Sequence, residues 1–383
     1  MANTISTDLI EVLYEQLAVG SREMIGALPA CTLSASSEMA AKGQEIVSAN
    51  IADTNSFTVT PAMTPPTPAD RTFTGSALVI DDVIGENFAW SDNDVALLGT
   101  SFRSMMQNSI NQAIRKMANA IESNICSKAA LAASAAWLKD DDSGKLFTTD
   151  MTDLSFTAKL LNDRGAGMDR ALILGTTGAA YLGAQTNLSR VSEAGTTSFL
   201  QQGIMAAGLY TMDVRQSAGV VKGVTATGSG YLVNHGGGYA IGDVAITLDT
   251  GTGTIPAGSI VGFGDGEFYV VKTALAANVV VLQAPGLRAA IANDAPLTVY
   301  NATAYDANFA FSRDAIVVAT RMPVRTGQDQ ALDVVPIVDP NSGITFEFAK
   351  YPGYYKAAYQ LTIAHGAAVM NPEHLVLATN YAD

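Results

Sequence analysis

Charge is scarce in this chain of 383 residues. Asp, Glu, Lys and Arg supply 15% of it, hydrophobic residues supply 48%, and mean hydropathy is +0.19. A soluble monomer ordinarily displays more charge than this. Long apolar runs are also lacking, since no stretch reaches the roughly eighteen residues of a membrane-crossing helix. The opening MANTISTDLIEVLYEQL carries acids where an export signal would carry lysines, so neither a membrane partner nor secretion is expected. Extensive contact between copies of the chain is the better account of the apolar excess.

Basic runs are absent, and a net charge of −14 with a pI near 4.6 argues against attraction to nucleic acid. The two cysteines, Cys31 and Cys126, are too few and too far apart for a disulfide framework or a thiolate metal site. Two reduced, buried thiols are expected instead. The three histidines, His235, His365 and His374, accompany no G-x-S-x-G nucleophile turn, and no phosphate-binding G-x-x-x-x-G-K-[ST] occurs. GFGDGE at 262–267 has glycines at alternate positions between two strand candidates, which fits a hairpin turn with positive φ better than a dinucleotide loop. Asp140 and Asp142 open like a calcium loop, but Lys145 and Met151 stand where glycine and a bidentate glutamate are needed. The pairs Asp81-Asp82 and Asp92/Asp94 suit strand ends and helix caps. No catalytic, cofactor-binding or metal-binding residue is therefore expected, and no cofactor.

What the chain does contain is scaffold. An apolar stripe Leu9, Val12, Leu13, Leu17 predicts an N-terminal helix, followed to about residue 55 by small residues of weak periodicity that read as an arm. SFTVTPAMTPPTPADRTFTG (56–75) places short alternating segments, 57–59 and 71–74, around a tip stiffened by Pro61, Pro65, Pro66 and Pro68. Such a two-stranded arm has almost no core of its own and is expected to lie on something else. Strands are predicted over 77–80 and 83–90, with Ser91 and Asp92 as caps of a following helix. From Thr100 to Ser143 there is neither glycine nor proline. Phe102, Met106, Ile110, Ile114, Met117, Ile121 and Ile125 recur at helical spacing, predicting one helix over about 101–131, roughly 45 Å long.

Residues 152–220 alternate helix and strand, with RALILG (170–175) as a buried strand and helices over 153–162, 176–182 and 196–206. From about Gly223 glycine turns separate short strand candidates at 239–241, 244–248, 259–263, 268–271, 279–282 and 297–300, which suggests an inserted small barrel or sandwich over 223–304. AIVVA (315–319), a strand pair 344–349 and 357–365 around Pro352-Gly353, and a last strand over 373–377 complete the pattern.

This succession resembles the major capsid proteins of tailed bacteriophages, and most of all the coat proteins of short-tailed phages that carry an inserted β-barrel. The echoes are AIRKMANAIESNICSKAA (113–130), NFAFSRDAIVVATRMPV (308–324), GTIPAGSIVGF (253–263) and LQAPGLRAAI (282–291). The resemblance implies an α+β fold of the tailed-phage and herpesvirus capsid type with an inserted all-β domain. It further implies an N-terminal arm (1–50), an extended two-stranded loop (51–90), and a spine helix of a peripheral domain (91–150). An axial domain in two parts (151–222 and 305–342) would flank the insertion (223–304), and peripheral strands (343–383) would close the chain. Pro65, Pro66, Asp70 and Arg71 would then touch a neighbouring subunit, while Phe102, Met106, Ile110, Ile114, Met117 and Ile121 would form the core side of the spine. The implied function is a non-enzymatic subunit of an icosahedral head shell, built in the host cytoplasm and ending in the virion. Implied partners are the chain itself in hexamers and pentamers, a scaffolding protein, a portal protein, and double-stranded DNA enclosed without sequence-specific binding. A β-rich surface adhesin or carbohydrate-binding module is the alternative, suggested by the glycine-rich block.

Overall fold

The computed structural model describes residues 25–51, 73–140, 146–147, 151–185, 209–301, 305–326, 331–338 and 343–381. The N-terminal helix pattern, the segment 57–59, the proline tip and the pattern over 196–206 lie outside the described residues.

After a short turn come strands β1 (Thr32–Ala40), β2 (Glu45–Ile51), β3 (Phe73–Val79) and β4 (Asp82–Ser91). Helix α1 (Asp92–Leu98) starts on a capping box: Ser91 Oγ accepts the Asp94 N–H, and the Asp94 carboxylate accepts the Ser91 N–H. The long helix α2 (Phe102–Ala132) follows, spanning roughly 46 Å at ~1.5 Å per residue. Strand β5 (Ala135–Asp140), helix α3 (Thr152–Asp163), strand β6 (Arg170–Leu174), helix α4 (Thr176–Gly183) and strand β7 (Met212–Gln216) make a mixed layer. Next come β8 (Tyr231–Val233), β9 (Ala245–Asp249), β10 (Ile260–Gly262), β11 (Tyr269–Ala276), β12 (Val279–Leu282) and β13 (Pro296–Val299). The chain ends with β14 (Asn308–Ser312), β15 (Ile316–Pro323), β16 (Asp333–Val338), β17 (Thr345–Gly353), β18 (Lys356–Val369) and β19 (Leu375–Tyr381).

Strand β18 organises the first sheet. Both β4 and β15 pair with Ala364 and His365, so they must lie on opposite edges of β18. β17 precedes β15 along the second edge, and β16 and β1 complete the sheet. α2 lies on this sheet. Ile110, Ile114, Met117 and Ile121 share one core with Phe346, Phe348, Leu361 and Ile363.

The mixed layer is the stretch β5-β19-β14-β6-β7 of an eleven-stranded sheet, continuous with the strands that follow through an antiparallel pairing of β5 with β11 at Ala135 and Tyr269, and it is buried on both faces. Strand alternation divides its side chains cleanly. Ala171, Ile173, Phe309, Phe311, Leu375 and Leu377 join the α2 core, while Leu172, Leu174, Ala310, Val376 and Ala378 face α3 with Leu154 and Leu161. That two-sided burial is why RALIL reads as an unbroken apolar run.

The six strands β8–β13 close into a ring, β10-β13-β8-β9-β12-β11, with β11 returning to β10 and every pairing antiparallel. Its interior holds Val233, Ile246, Leu248, Val261, Val271, Val280 and Leu282. The turn at 262–267 carries positive φ at Gly264 and Gly266, at +80° and +81°, as a hairpin between β10 and β11 requires.

Several elements differ from the sequence expectation. The arm's ladder runs from Glu45 opposite Val79 to Ile51 opposite Phe73, so its first strand begins well before residue 57. The small-residue stretch Thr32–Ala40 is a strand, paired in parallel with β15 nearly three hundred residues away. The candidate at 239–241 makes a single bridge from Tyr239 to Ile291, and Tyr231–Val233 takes its place in the ring. Pro352-Gly353 lies within the β17–β18 ladder, whose tip is Tyr354-Tyr355.

Candidate assembly surfaces

No group of three or more His, Cys, Asp and Glu side chains suited to a metal occurs among the described residues. The histidines are engaged locally: His235 stacks on Tyr239 at 4.7 Å between ring centres, and His374 Nδ1 lies 2.7 Å from Asp314 Oδ2. Cys31 and Cys126 are free and buried. Burial, with the Glu122 charge nearby, pushes the Cys126 thiol up to about 12 and Cys31 up as well, so neither supplies a thiolate near neutral pH. A mainly apolar cavity of about 220 Å³ lies between the end of α2 and the barrel, lined in part by Ser127, Leu131, Val224 and Tyr305. Its lysine, Lys222, is ion-paired with Asp306. No acid–base pair converges on it.

The described part of the arm is the antiparallel pair β2–β3. Its root is a knot of charges around Asp81, in the turn between β3 and β4. Asp81 accepts Asn124 Nδ2, Lys128 Nζ and the Ala367 N–H, each at 3.0 Å. Asp82 pairs with Lys42 at 3.0 Å, across the β1–β2 turn. Burial raises the Asp81 carboxyl, but the hydrogen bonds from Asn124, Ala367 and Lys128 outweigh it and hold the pKa below the ordinary carboxylate value. His365 packs against the same knot, and burial lowers its pKa despite the charges of Asp81 and Asp82. The arm is thus fastened to α2 and β18 at its base. Pro65, Pro66, Asp70 and Arg71, at its tip, lie outside the described residues.

Met106, Ile110, Ile114, Met117 and Ile121 are buried on α2, and Phe102 is half-buried with its ring edge-on to Trp90 at 5.6 Å. The neighbouring polar row of α2 contains a residue that sequence periodicity does not distinguish. Glu122 is 2% exposed, and its carboxylate accepts the N–H groups of Gly26, Ala27 and Leu28 and the Ser217 hydroxyl. An acid on a polar helix row gives no sequence signal of such partners.

Near the far end of β18 the surface is apolar. Helix α1 buries none of its side chains, leaving Leu97 87% exposed. The Asp92 N–H at its start donates to the Tyr355 carbonyl, and Tyr354, at the same hairpin tip, is 88% exposed.

This fold is found in phage capsids. The chain superposes on a capsid structure of the cyanophage P-SCSP1u with a TM-score of 0.53 and 12% identity, covering 92% of this chain and 87% of that one. A second similar structure is the asymmetric unit of the bacteriophage PhiM1 mature capsid, at a TM-score of 0.49 and 10% identity over 92% and 86% of the two chains. No protein-family model matches the chain, and no curated protein matches it. The adhesin alternative draws no support from the likeness to the P-SCSP1u capsid.

Proposed function

We propose that this chain is the major capsid protein of a tailed bacteriophage, assembling into the icosahedral head shell around double-stranded DNA. The observation that carries the reading is the likeness of fold to the P-SCSP1u capsid over nine-tenths of the chain. The physical character of the molecule supports it. Exposed Leu97, Tyr354 and Tyr355 and a two-stranded arm with little core of its own are surfaces that neighbouring copies would cover. Repeating such contacts around symmetry axes is how one chain builds a closed shell. A net charge of −14 lets the shell enclose DNA without gripping it.

In this reading the arm's tip, with Pro65, Pro66, Asp70 and Arg71, lies on an adjacent subunit, and α2 is the spine of a peripheral domain. The layer of α3 and β6 belongs to an axial domain, and 223–304 is an insertion. Hexamers and pentamers of the chain form the shell with help from a scaffolding protein and a portal, inside the host cytoplasm. The protein performs no catalysis. Size-exclusion chromatography of the purified chain is the test. Elution as megadalton particles supports the reading, and elution solely as a monomer under assembly conditions opposes it.

A further inference from the structure

Helix α2 has two unlike sides. One is core, where Ile110, Ile114, Met117 and Ile121 pack with the β18 sheet. The other faces solvent, and Ser104, Asn108, Gln112, Asn119 and Ser123 recur along it at helical spacing. Arg115 and Lys116 fill the middle of that row, and Arg103 is exposed at its start. The helix has one acid, Glu122, which is buried under the N–H groups of Gly26, Ala27 and Leu28. Every charge that α2 shows to solvent is therefore positive, in a chain with 36 acidic and 22 basic residues.

Solvation alone does not account for this row. Ser and Asn are weaker helix formers than Glu, and on an exposed face no packing compensates them. Helix α3 shows the ordinary arrangement, an exposed Lys159–Asp163 pair at 2.8 Å. Glu86 of β4 pairs with Lys116, and Asp81 pairs with Lys128 at 3.0 Å, so these bordering acids are already engaged. Arg103 has no ion-pair partner among the described residues. The row also has a definite side. Along β18, Leu361 and Ile363 face α2, while Ala364 joins the separate core of Leu78 and Ile80 beneath the arm. The arm's base and α2 thus lie on opposite faces of the sheet.

We propose that the solvent row of α2 is the wall of the subunit that meets double-stranded DNA. Arg103, Arg115 and Lys116 approach phosphates, and the amides and hydroxyls between them donate to phosphate oxygens. Basic side chains interleaved with Ser, Asn and Gln are the set that contacts a phosphate backbone, and such contacts read no sequence. The few charges and the acidic remainder of the chain keep the contact weak and salt-labile, so DNA slides along the wall. In the shell, α2 then lines the inside and the arm's base lies toward the outside; that use rests on the shell reading above.

Fluorescence anisotropy of a labelled duplex of about 30 base pairs, mixed with the full-length unassembled chain in about 0.02 M salt, tests the row. The native chain should bind weakly, with a log–log salt slope of about −2 to −3, as two or three neutralised phosphates give. Arg103→Gln combined with Arg115→Gln should weaken binding about tenfold or more. Asn108→Asp combined with Asn119→Asp should do the same with every basic residue in place. Lys159→Gln combined with Lys272→Gln, on α3 and β11, should leave binding unchanged, with circular dichroism reporting that each variant is folded. A native chain that does not bind overturns the proposal, and so does native-like binding by both row variants. In DNA-filled particles, a benzophenone attached at Gln112→Cys should cross-link to DNA, and cross-links solely to another copy of the chain would also overturn it. A chain that binds duplex through this row but never forms particles would sink the shell reading and leave the row's affinity standing.

Discussion

The Glu122 carboxylate accepts the Ala27 N–H at 2.7 Å, joining residues 95 apart in the chain inside the core. With Gly26, Leu28 and Ser217 it ties the segment before β1 and the segment after β7 to the middle of α2. Gly26 fits there because an added Cβ would meet the Gln216 carbonyl at 2.6 Å. Glu122→Ala strands three buried N–H groups and should cost about 3 kcal/mol or more in denaturant unfolding. A loss under about 1 kcal/mol would mean that water satisfies those donors.

Acid should loosen the root of the arm. The Asp81 carboxyl is lowered from its ordinary 3.8, so its stabilisation is full above that value and is lost as pH falls through the folded pKa. His365 is lowered from 6.5, so below that value the unfolded chain takes a proton before the folded one does. Both effects reduce stability as pH falls. The unfolding midpoint should therefore drop between about pH 6.5 and 5, and His365→Gln should flatten that part of the profile while leaving the steeper acid limb. A native profile already flat across this window would contradict the assignment.

Ile114 is 1% exposed, facing the β18 sheet in the main core. Ile114→Asp places an unpaired charge there and should cost about 3 kcal/mol or more, leaving the chain insoluble or unable to assemble. Recovery of soluble, normally assembling Ile114→Asp protein would show that this face of α2 is not core.

The arm's tip should matter to assembly and not to the fold. Prolines limit the conformations lost on docking, and a charged pair sets register. Replacing Pro65, Pro66 and Pro68 with glycine, or Arg71→Glu, should leave circular dichroism of the subunit unchanged and lower the yield or heat resistance of particles. Normal particles from both variants would make this an ordinary loop.

What could be read from the sequence was what local pattern encodes. The stripe from Phe102 to Ile125 gave α2 almost to the residue, Ser91 was legible as the cap of α1, and RALILG read as a buried strand. What escaped depends on partners distant in the chain. Thr32–Ala40 has too little alternation to show a strand until β15 lies beside it, and Tyr231–Val233 is three residues among glycines, defined by ring closure. Glu122 looked like any acid on a polar helix face, because the backbone N–H groups that bury it come from elsewhere in the fold. Arg164, Glu267 and Arg288 are equally plain in sequence, since only packing brings the end of α3 to the barrel.

Electron microscopy of the purified protein tests the central claim most directly. The account predicts hollow, closed particles of uniform diameter with icosahedral symmetry, in which the arm of each subunit crosses onto its neighbour. Particle-free fields of dispersed monomers, under conditions where the chain is folded and concentrated, would contradict it.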